Sequence, residues 1–180
     1  MKAKYPDYKK IIAKHELWHS VYIGLAFVEN PVVGPFFNDI AGFDKALSIN
    51  PNLPGAVNPP KYLGGANIGG YQDYYDILKK EFFKVVFRHP IVIIENFGTK
   101  LAILYIYFII FANIGIIFAF IYKKPIQIEV ALWCGILFNA LPGLLVVPAF
   151  HYNAAFIAFA AIYGLFSVNQ ACSSDRALDN

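Results

Sequence analysis

The second half of the chain is dominated by two long stretches without a charged side chain. The first, Leu101 to Tyr122, has Asn113 as its only strongly polar residue. A helix of that length crosses roughly 30 Å of hydrocarbon. The second stretch, Val130 to Cys172, has room for two more helices. Because lipid offers no water to the backbone, these stretches must be helical. The pattern therefore predicts transmembrane helices at 101–122, about 128–147 and about 152–168, with a break near Pro148.

The first half of the chain alternates short apolar stripes with turns. Apolar residues recur at helical spacing in three segments, and these predict helices over Ile11–Phe27, Phe36–Ile49 and Tyr71–Arg88. Asn30 to Pro35 separates the first two as a turn. Ile91 to Thr99 is apolar with polar residues on one side, so we expect it to lie in the membrane interface and lead into the first span.

A long loop is predicted between the second and third helices of this half. Pro51 to Gly70 contains four prolines and five glycines, a composition that no regular element tolerates. Loops of that length in small domains are usually functional or mobile. This loop is therefore the predicted lid or partner contact.

These patterns together predict an all-α integral membrane protein. Three transmembrane helices follow a small, mostly helical extramembrane domain with a long Gly/Pro loop. The predicted boundaries are 1–99 for the extramembrane or interfacial domain, 100–168 for the transmembrane domain and 169–180 for a disordered tail. Composition agrees, since 58% of residues are hydrophobic and 15% are charged, against about 25% charged in ordinary soluble domains. We therefore expect membrane lipid as a partner.

Charge bears on partners and on orientation. The net charge of +3 is too small and too scattered to suggest nucleic acid. Twelve of the fifteen Lys and Arg residues lie at or before Lys100. Counted near the spans, positive charge places the N-terminal domain in the cytoplasm.

The sharpest local motif is an HExxH pattern formed by His15, Glu16 and His19. On a helix it sets two imidazoles on one face, where they can hold Zn²⁺, with the glutamate placed to polarise a metal-bound water. The motif thus predicts a zinc metalloprotease as one alternative. No third ligand follows at a defined spacing, and two histidines of an amphipathic helix that hydrogen-bond or face lipid headgroups are the other interpretation.

A second polar cluster, His151 with Tyr152 and Asn153, lies at the hairpin between the predicted second and third spans. It suggests either an interfacial site or simple interfacial anchoring. In an accessory structural subunit of a large membrane complex, of photosynthetic or respiratory type, His151 or His89 could bind a haem or a chlorophyll-type pigment.

Several short motifs are spread along the chain. They are His15-x-x-Trp18-His19-x-x-Tyr22-x-Gly24-Leu25, Asn38-Asp39 with Gly42 and Lys45-Ala46, Tyr75-x-Ile77-Leu78-Lys79-x-Glu81, His89-Pro90, Asn96-x-x-x-Lys100, and Leu141-Pro142 through Pro148 to His151-Tyr152. Together they resemble the C-terminal region of GT-C-type (family 39-like) polyprenyl-phosphate-dependent membrane glycosyltransferases. The resemblance covers most of residues 15 to 168.

The resemblance implies a role with a lipid-linked sugar as substrate, in the inner cell membrane. It places the N-terminal domain outside the cytoplasm, against the charge count. The early acidic loop that carries the catalytic base in such enzymes has no counterpart here, so no catalytic residue is transferred. We expect a module that is inactive alone and works with other membrane subunits. The candidate substrate or partner contacts are Trp18, Asn38, Asp39, His151 and Tyr152.

Overall fold

The computed structural model describes residues 17–35, 37–53, 72–122 and 124–178, with side chains to residue 173. The chain divides into two compact units, Met1–Phe97 and Gly98–Asn180. In the described residues of the first unit the helices are α1 (Leu17–Gly24), α2 (Asp39–Ile49) and α3 (Gln72–Arg88). Helix α4 (Pro90–Ala112) contains the boundary between the units. In the second unit follow α5 (Gly115–Ile121), α6 (Ile126–Leu145), a 3₁₀ turn (Phe150–Asn153) and α7 (Ala154–Leu178).

The first unit, hereafter the head, packs α1 against both α2 and α3. Helix α2 begins at Asn38, whose side-chain oxygen accepts a hydrogen bond of 2.9 Å from the backbone N–H of Ile40, as an N-cap residue does. The predicted apolar stripe of α3 is confirmed, since Tyr74, Leu78 and Val85 are buried. The buried core of the head is formed by Tyr22, Ile23, Ala46, Leu53, Tyr74, Tyr75 and Leu78.

A turn after α1 joins the head to the start of α4. Asn30 is buried, and its carboxamide donates to the backbone oxygens of Leu25 and Val28, at 2.8 and 2.9 Å. Asn96, on α4, is fully buried and also donates to the Leu25 oxygen, at 2.8 Å. The predicted turn over 30–35 is confirmed. The contact of Asn96 with the Leu25 oxygen comes from the polar side that was expected for Ile91–Thr99.

Three helices in the described chain are long and apolar enough to cross a membrane: Pro90–Ala112, Ile126–Leu145 and the continuous helical segment Phe150–Ser173. The expected number of spans and the all-helical class are therefore confirmed. Apart from one isolated bridge between Asn30 and Gly34, the described residues contain no β-structure.

The first span differs from the sequence prediction. Leu101–Tyr122 is not one helix, and Ile91–Thr99 is not a separate interfacial segment, because α4 runs without a break from Pro90 to Ala112. The chain then leaves the helix at Asn113, which has a φ of 49°. Asparagine tolerates this left-handed conformation better than most residues. The side chain of Asn113 accepts a hydrogen bond of 2.7 Å from the N–H of Ile114.

A glycine contact explains why the helix breaks there. A Cβ built on Gly115 would lie 2.3 Å from the Cα of Gly164, and one built on Gly164 would lie 2.2 Å from the backbone oxygen of Ala112. The backbones of α5 and α7 therefore touch directly, as small residues permit in membrane helix packing. The break lets α5 take this position against α7.

The later spans agree with the prediction except at their ends. Pro142 lies inside α6, and Gly143 is buried where α6 meets Asn153. Helix α7 continues to Leu178, whereas the sequence predicted a disordered tail from residue 169. Helix formation is cooperative, so these polar residues each extend an existing helix by one backbone hydrogen bond instead of nucleating a new one.

The close contact between Gly115 and Gly164 can be tested by substitution. Gly164→Ala places a methyl group into backbone atoms that cannot move aside, so we expect the purified protein to lose about 1–3 kcal/mol of stability, the usual cost of overpacking. Gly98→Ala is the matched control, because nothing lies within 4 Å of the added Cβ. That control should be neutral or slightly stabilising, since alanine favours helix. Thermal unfolding in detergent measures both, and equal melting temperatures for the two variants would contradict the packing.

Candidate functional site

The candidate site of the head is a hydrogen-bonded row of three side chains from three helices. His19 on α1 lies between Tyr74 of α3 and Asp39 at the start of α2. Its Nδ1 contacts the Tyr74 hydroxyl, and its Nε2 lies 3.2 Å from Asp39 Oδ1. The row runs from a fully buried residue, Tyr74, to an exposed one, Asp39.

The Asp39 carboxylate sets the direction of the hydrogen bonds. Because a carboxylate can only accept, the proton of the His19–Asp39 bond is on Nε2. In the imidazole tautomer that carries its proton on Nε2, Nδ1 accepts from the Tyr74 hydroxyl. Burial raises the pKa of the Tyr74 phenol far above its ordinary value, and the nearby Tyr75 and Asp39 act in the same direction, so the phenol keeps the proton that it donates.

Aromatic packing and one glycine shape the space around His19. The ring of Phe43 lies 5.1 Å from the His19 ring and 5.5 Å from the Tyr74 ring, measured between centroids. Gly42 is buried beside them, and a Cβ there would lie 3.0 Å from His19 Nδ1 and 3.1 Å from the Tyr74 oxygen. Glycine at this position thus lets the imidazole and the phenol meet.

The exposed end of the row is the group that can meet a ligand. The Asp39 side chain is 66% exposed, against 13% for His19. Only Oδ1 of Asp39 is engaged among the described residues. A carboxylate oriented by an imidazole, with its second oxygen facing solvent, can accept hydrogen bonds from hydroxyl groups. The buried Tyr74 instead orients His19 from behind.

The other candidates in the head have structural partners. Trp18 packs between Phe82 and Phe83, with ring centroids 5.8 and 5.7 Å away, and Lys79 lies over its ring at 5.5 Å. Asn38 caps α2. These interactions of Trp18 and Asn38 do not include a side chain of the His19 row, although Asn38 directly precedes Asp39.

The zinc motif is represented by one residue in the described chain. His19 is described, whereas His15 and Glu16 lie outside the described residues, as do residues 54–70 of the predicted loop. Within the described ranges no group of three His, Cys, Asp or Glu side chains could hold a metal ion. Among the described residues, the hydrogen-bonding partners of His19 are the phenol of Tyr74 and the carboxylate of Asp39.

An ion-pair cluster supports the same three helices. Glu81 on α3 lies 3.1 Å from Lys45 of α2 and 3.2 Å from Lys84. Burial opposes ionisation of Glu81, but the hydrogen bonds and positive charges of both lysines outweigh it and lower its pKa. Tyr22 of α1, buried near this charge, has its pKa raised to about 12 by burial and by Glu81. This cluster is a structural link between α2 and α3.

His151 and Tyr152 belong to the other unit and form a pair of their own. Both side chains are exposed, and their ring centroids are 4.2 Å apart. Asn153 beside them is fully buried and donates to the Ala149 oxygen at 2.8 Å. His89 is exposed between α3 and α4. Pigment binding by either histidine stays a prediction.

Sequence reasoning did not identify Tyr74 and Gly42 as members of the site. Tyr74 was assigned only to an apolar stripe, and its hydroxyl partner is 55 residues away in the chain. The second unit contains a further polar cluster, around Glu129, that the motifs did not single out. The spacing of Glu129 and Trp133, one helical turn apart, was the available signal.

Comparison of the chain with protein families, curated proteins and solved structures found no match.

The role of Tyr74 can be tested by Tyr74→Phe. Without the phenol, Nδ1 of the poorly exposed His19 loses its donor, and an unsatisfied buried acceptor costs about 1–3 kcal/mol. We expect faster hydrogen exchange of the α1 and α3 amides by the corresponding factor, measured by mass spectrometry in lipid nanodiscs. Tyr152→Phe, at an exposed tyrosine outside the head, is the control. Equal exchange in the two variants would show that the phenol does not orient His19.

Proposed function

We propose that this chain is a multi-pass membrane protein that serves as a non-catalytic module for handling a lipid-linked sugar. In this proposal the head contacts the sugar through Asp39, the spans hold the module in the bilayer beside the lipid part, and a partner subunit supplies the catalytic carboxylate. The module would work in the inner cell membrane, with the head outside the cytoplasm.

The observation that carries the proposal is the presented carboxylate of Asp39. A carboxylate that accepts from a sugar hydroxyl makes a charge-assisted hydrogen bond worth about 1.5–3 kcal/mol. The His19 contact limits the rotation of Asp39, so less freedom is lost when a ligand binds. Phe43, half-buried next to His19, adds apolar surface of the kind that sugar rings pack against.

The motif resemblance supports the same residues. His19 comes from its first short motif, and Asp39 and Gly42 come from its second. The structure brings these separate motifs together around one imidazole.

The described part of the site supports binding rather than group transfer. Sugar transfer from a polyprenyl phosphate needs a base for the acceptor and a set of groups for the phosphate. At the His19 row the described residues provide one exposed carboxylate and no second acid or phosphate-binding cation. Binding and orientation are the chemistry that this arrangement supports.

The test uses thermophoresis to measure the binding of short-chain polyprenyl-phosphate hexoses to the purified chain in nanodiscs. We expect saturable binding that is stronger than binding of the sugar-free polyprenyl phosphate. Asp39→Asn should weaken it about tenfold, equivalent to about 1.4 kcal/mol. Asp44→Asn, an exposed aspartate on the same helix, should leave it unchanged. Absence of saturable binding, or equal losses in the two variants, would reject the proposal.

A further inference from the structure

The second unit contains a half-open groove that is distinct from the His19 row. Its volume is about 930 Å³, and it is bounded by residues of α4, α5, α6 and α7. Most of its wall is aliphatic or aromatic, including Tyr105, Ile109, Ile117 and Phe120. One part of the wall is polar and is formed by Glu129, Trp133 and Tyr163.

The polar part of the groove is built around the Glu129 carboxylate. Oε1 accepts from the Trp133 indole at 2.8 Å and from the Tyr163 hydroxyl at 3.0 Å. Oε2 lies 3.2 Å from the ammonium of Lys124. That ammonium also lies 4.3 Å from the centre of the Tyr163 ring, and the Lys124 side chain is 1% exposed.

This geometry limits the charge of any occupant. Lys124 neutralises Glu129 from the buried side, so the pair presents no net charge to the groove. A carboxylate has about four acceptor positions. Trp133 and Tyr163 take the two on Oε1, whereas the Lys124 ammonium pairs with Oε2 by charge without a hydrogen bond. Glu129 remains 29% exposed, so Oε2 has a position for a donor from the groove. A hydroxyl group matches this position, whereas a charged headgroup would be desolvated without a counter-ion.

The size of the groove limits the shape of the occupant. A helix about 10 Å wide occupies on the order of 400 Å³ per turn, so a 930 Å³ groove holds about two turns. A membrane-spanning helix has five or six turns, and most of it would lie outside. The volume lies within the range of about 300–1,000 Å³ found for sites of single small ligands.

We propose that this groove binds one uncharged, single-chain membrane amphiphile, with its hydrocarbon chain along α4 and α5 and its hydroxyl headgroup at Glu129. The occupant comes from the surrounding bilayer. This site does not depend on sugar binding at Asp39.

The experiment uses three photoactivatable probes with the same hydrocarbon chain, and the full protein in nanodiscs. One probe is a monoacylglycerol, one a fatty acid and one an alkyl trimethylammonium. We expect saturable labelling by the monoacylglycerol, about tenfold above either charged probe, with adducts mapped to residues 105–120. Ile117→Trp, which fills the groove, should reduce this labelling about tenfold. Ile121→Trp is the control, because Ile121 is exposed on the same helix and does not line the groove.

Each other outcome overturns the proposal. Equal, non-saturable labelling by all three probes would show ordinary annular lipid. Preference for a charged probe would show that the Lys124–Glu129 pair does not set headgroup choice. Equal labelling of Ile117→Trp and Ile121→Trp would place the amphiphile elsewhere, and cross-links to a second copy of the chain would make the groove a protein interface.

Discussion

The absence of water in the hydrocarbon layer is the constraint on which this structure depends. Every backbone N–H and C=O in the spans must find a partner within the protein. At the break after α4, Asn113 meets this requirement locally. Its N–H bonds the Ile109 oxygen at 2.9 Å, its side chain accepts from Ile114, and its own oxygen accepts from Ile116 at 3.1 Å. A break in the helix is therefore possible without exposing the backbone to lipid.

The same constraint acts on charged side chains. A single charge at the centre of a membrane helix costs roughly 2.5–3.5 kcal/mol on insertion scales. Glu129 lies in the first turn of α6, where Trp133 and Tyr163 donate hydrogen bonds to it and Lys124 neutralises it. Removing one member of such a pair would leave the other buried alone. The pair is therefore tolerated as a unit, and it gives an otherwise apolar groove one polar end.

Buried polar groups in the head also need hydrogen-bonding partners. Tyr74 is completely buried, and its hydroxyl requires a partner, which His19 supplies. The imidazole in turn hydrogen-bonds to Asp39 at the surface and restricts the orientation of its carboxylate. A core requirement thereby fixes the direction of an exposed carboxylate. That link between packing and surface chemistry is why the His19 row, rather than the exposed histidines, is the candidate site.

Local sequence pattern was sufficient for features that depend on neighbours along the chain. The apolar stripe of α3 and the three apolar spans follow from periodicity and length. The break at Asn113 does not, because it depends on Gly115 touching Gly164 in a distant helix. The His19 row likewise joins residues from three helices. Asp39 was predicted as a substrate or partner contact and His19 as part of the zinc motif, but the pattern did not indicate that they meet. The Glu129 cluster needs Tyr163, which is 34 residues away.

The position of the first span tests the account most directly. Two single-cysteine variants, His89→Cys and Ile94→Cys, are made in a background that carries Cys134→Ser and Cys172→Ser. Intact vesicles that contain each variant are treated with a water-soluble maleimide, and the total thiol is measured after denaturation. Ile94 is 70% exposed, so the described part of the chain does not protect it and a bilayer would. The account predicts rapid labelling of His89→Cys and slow labelling of Ile94→Cys. Equally rapid labelling at both positions would contradict a span that runs from Pro90 to Ala112.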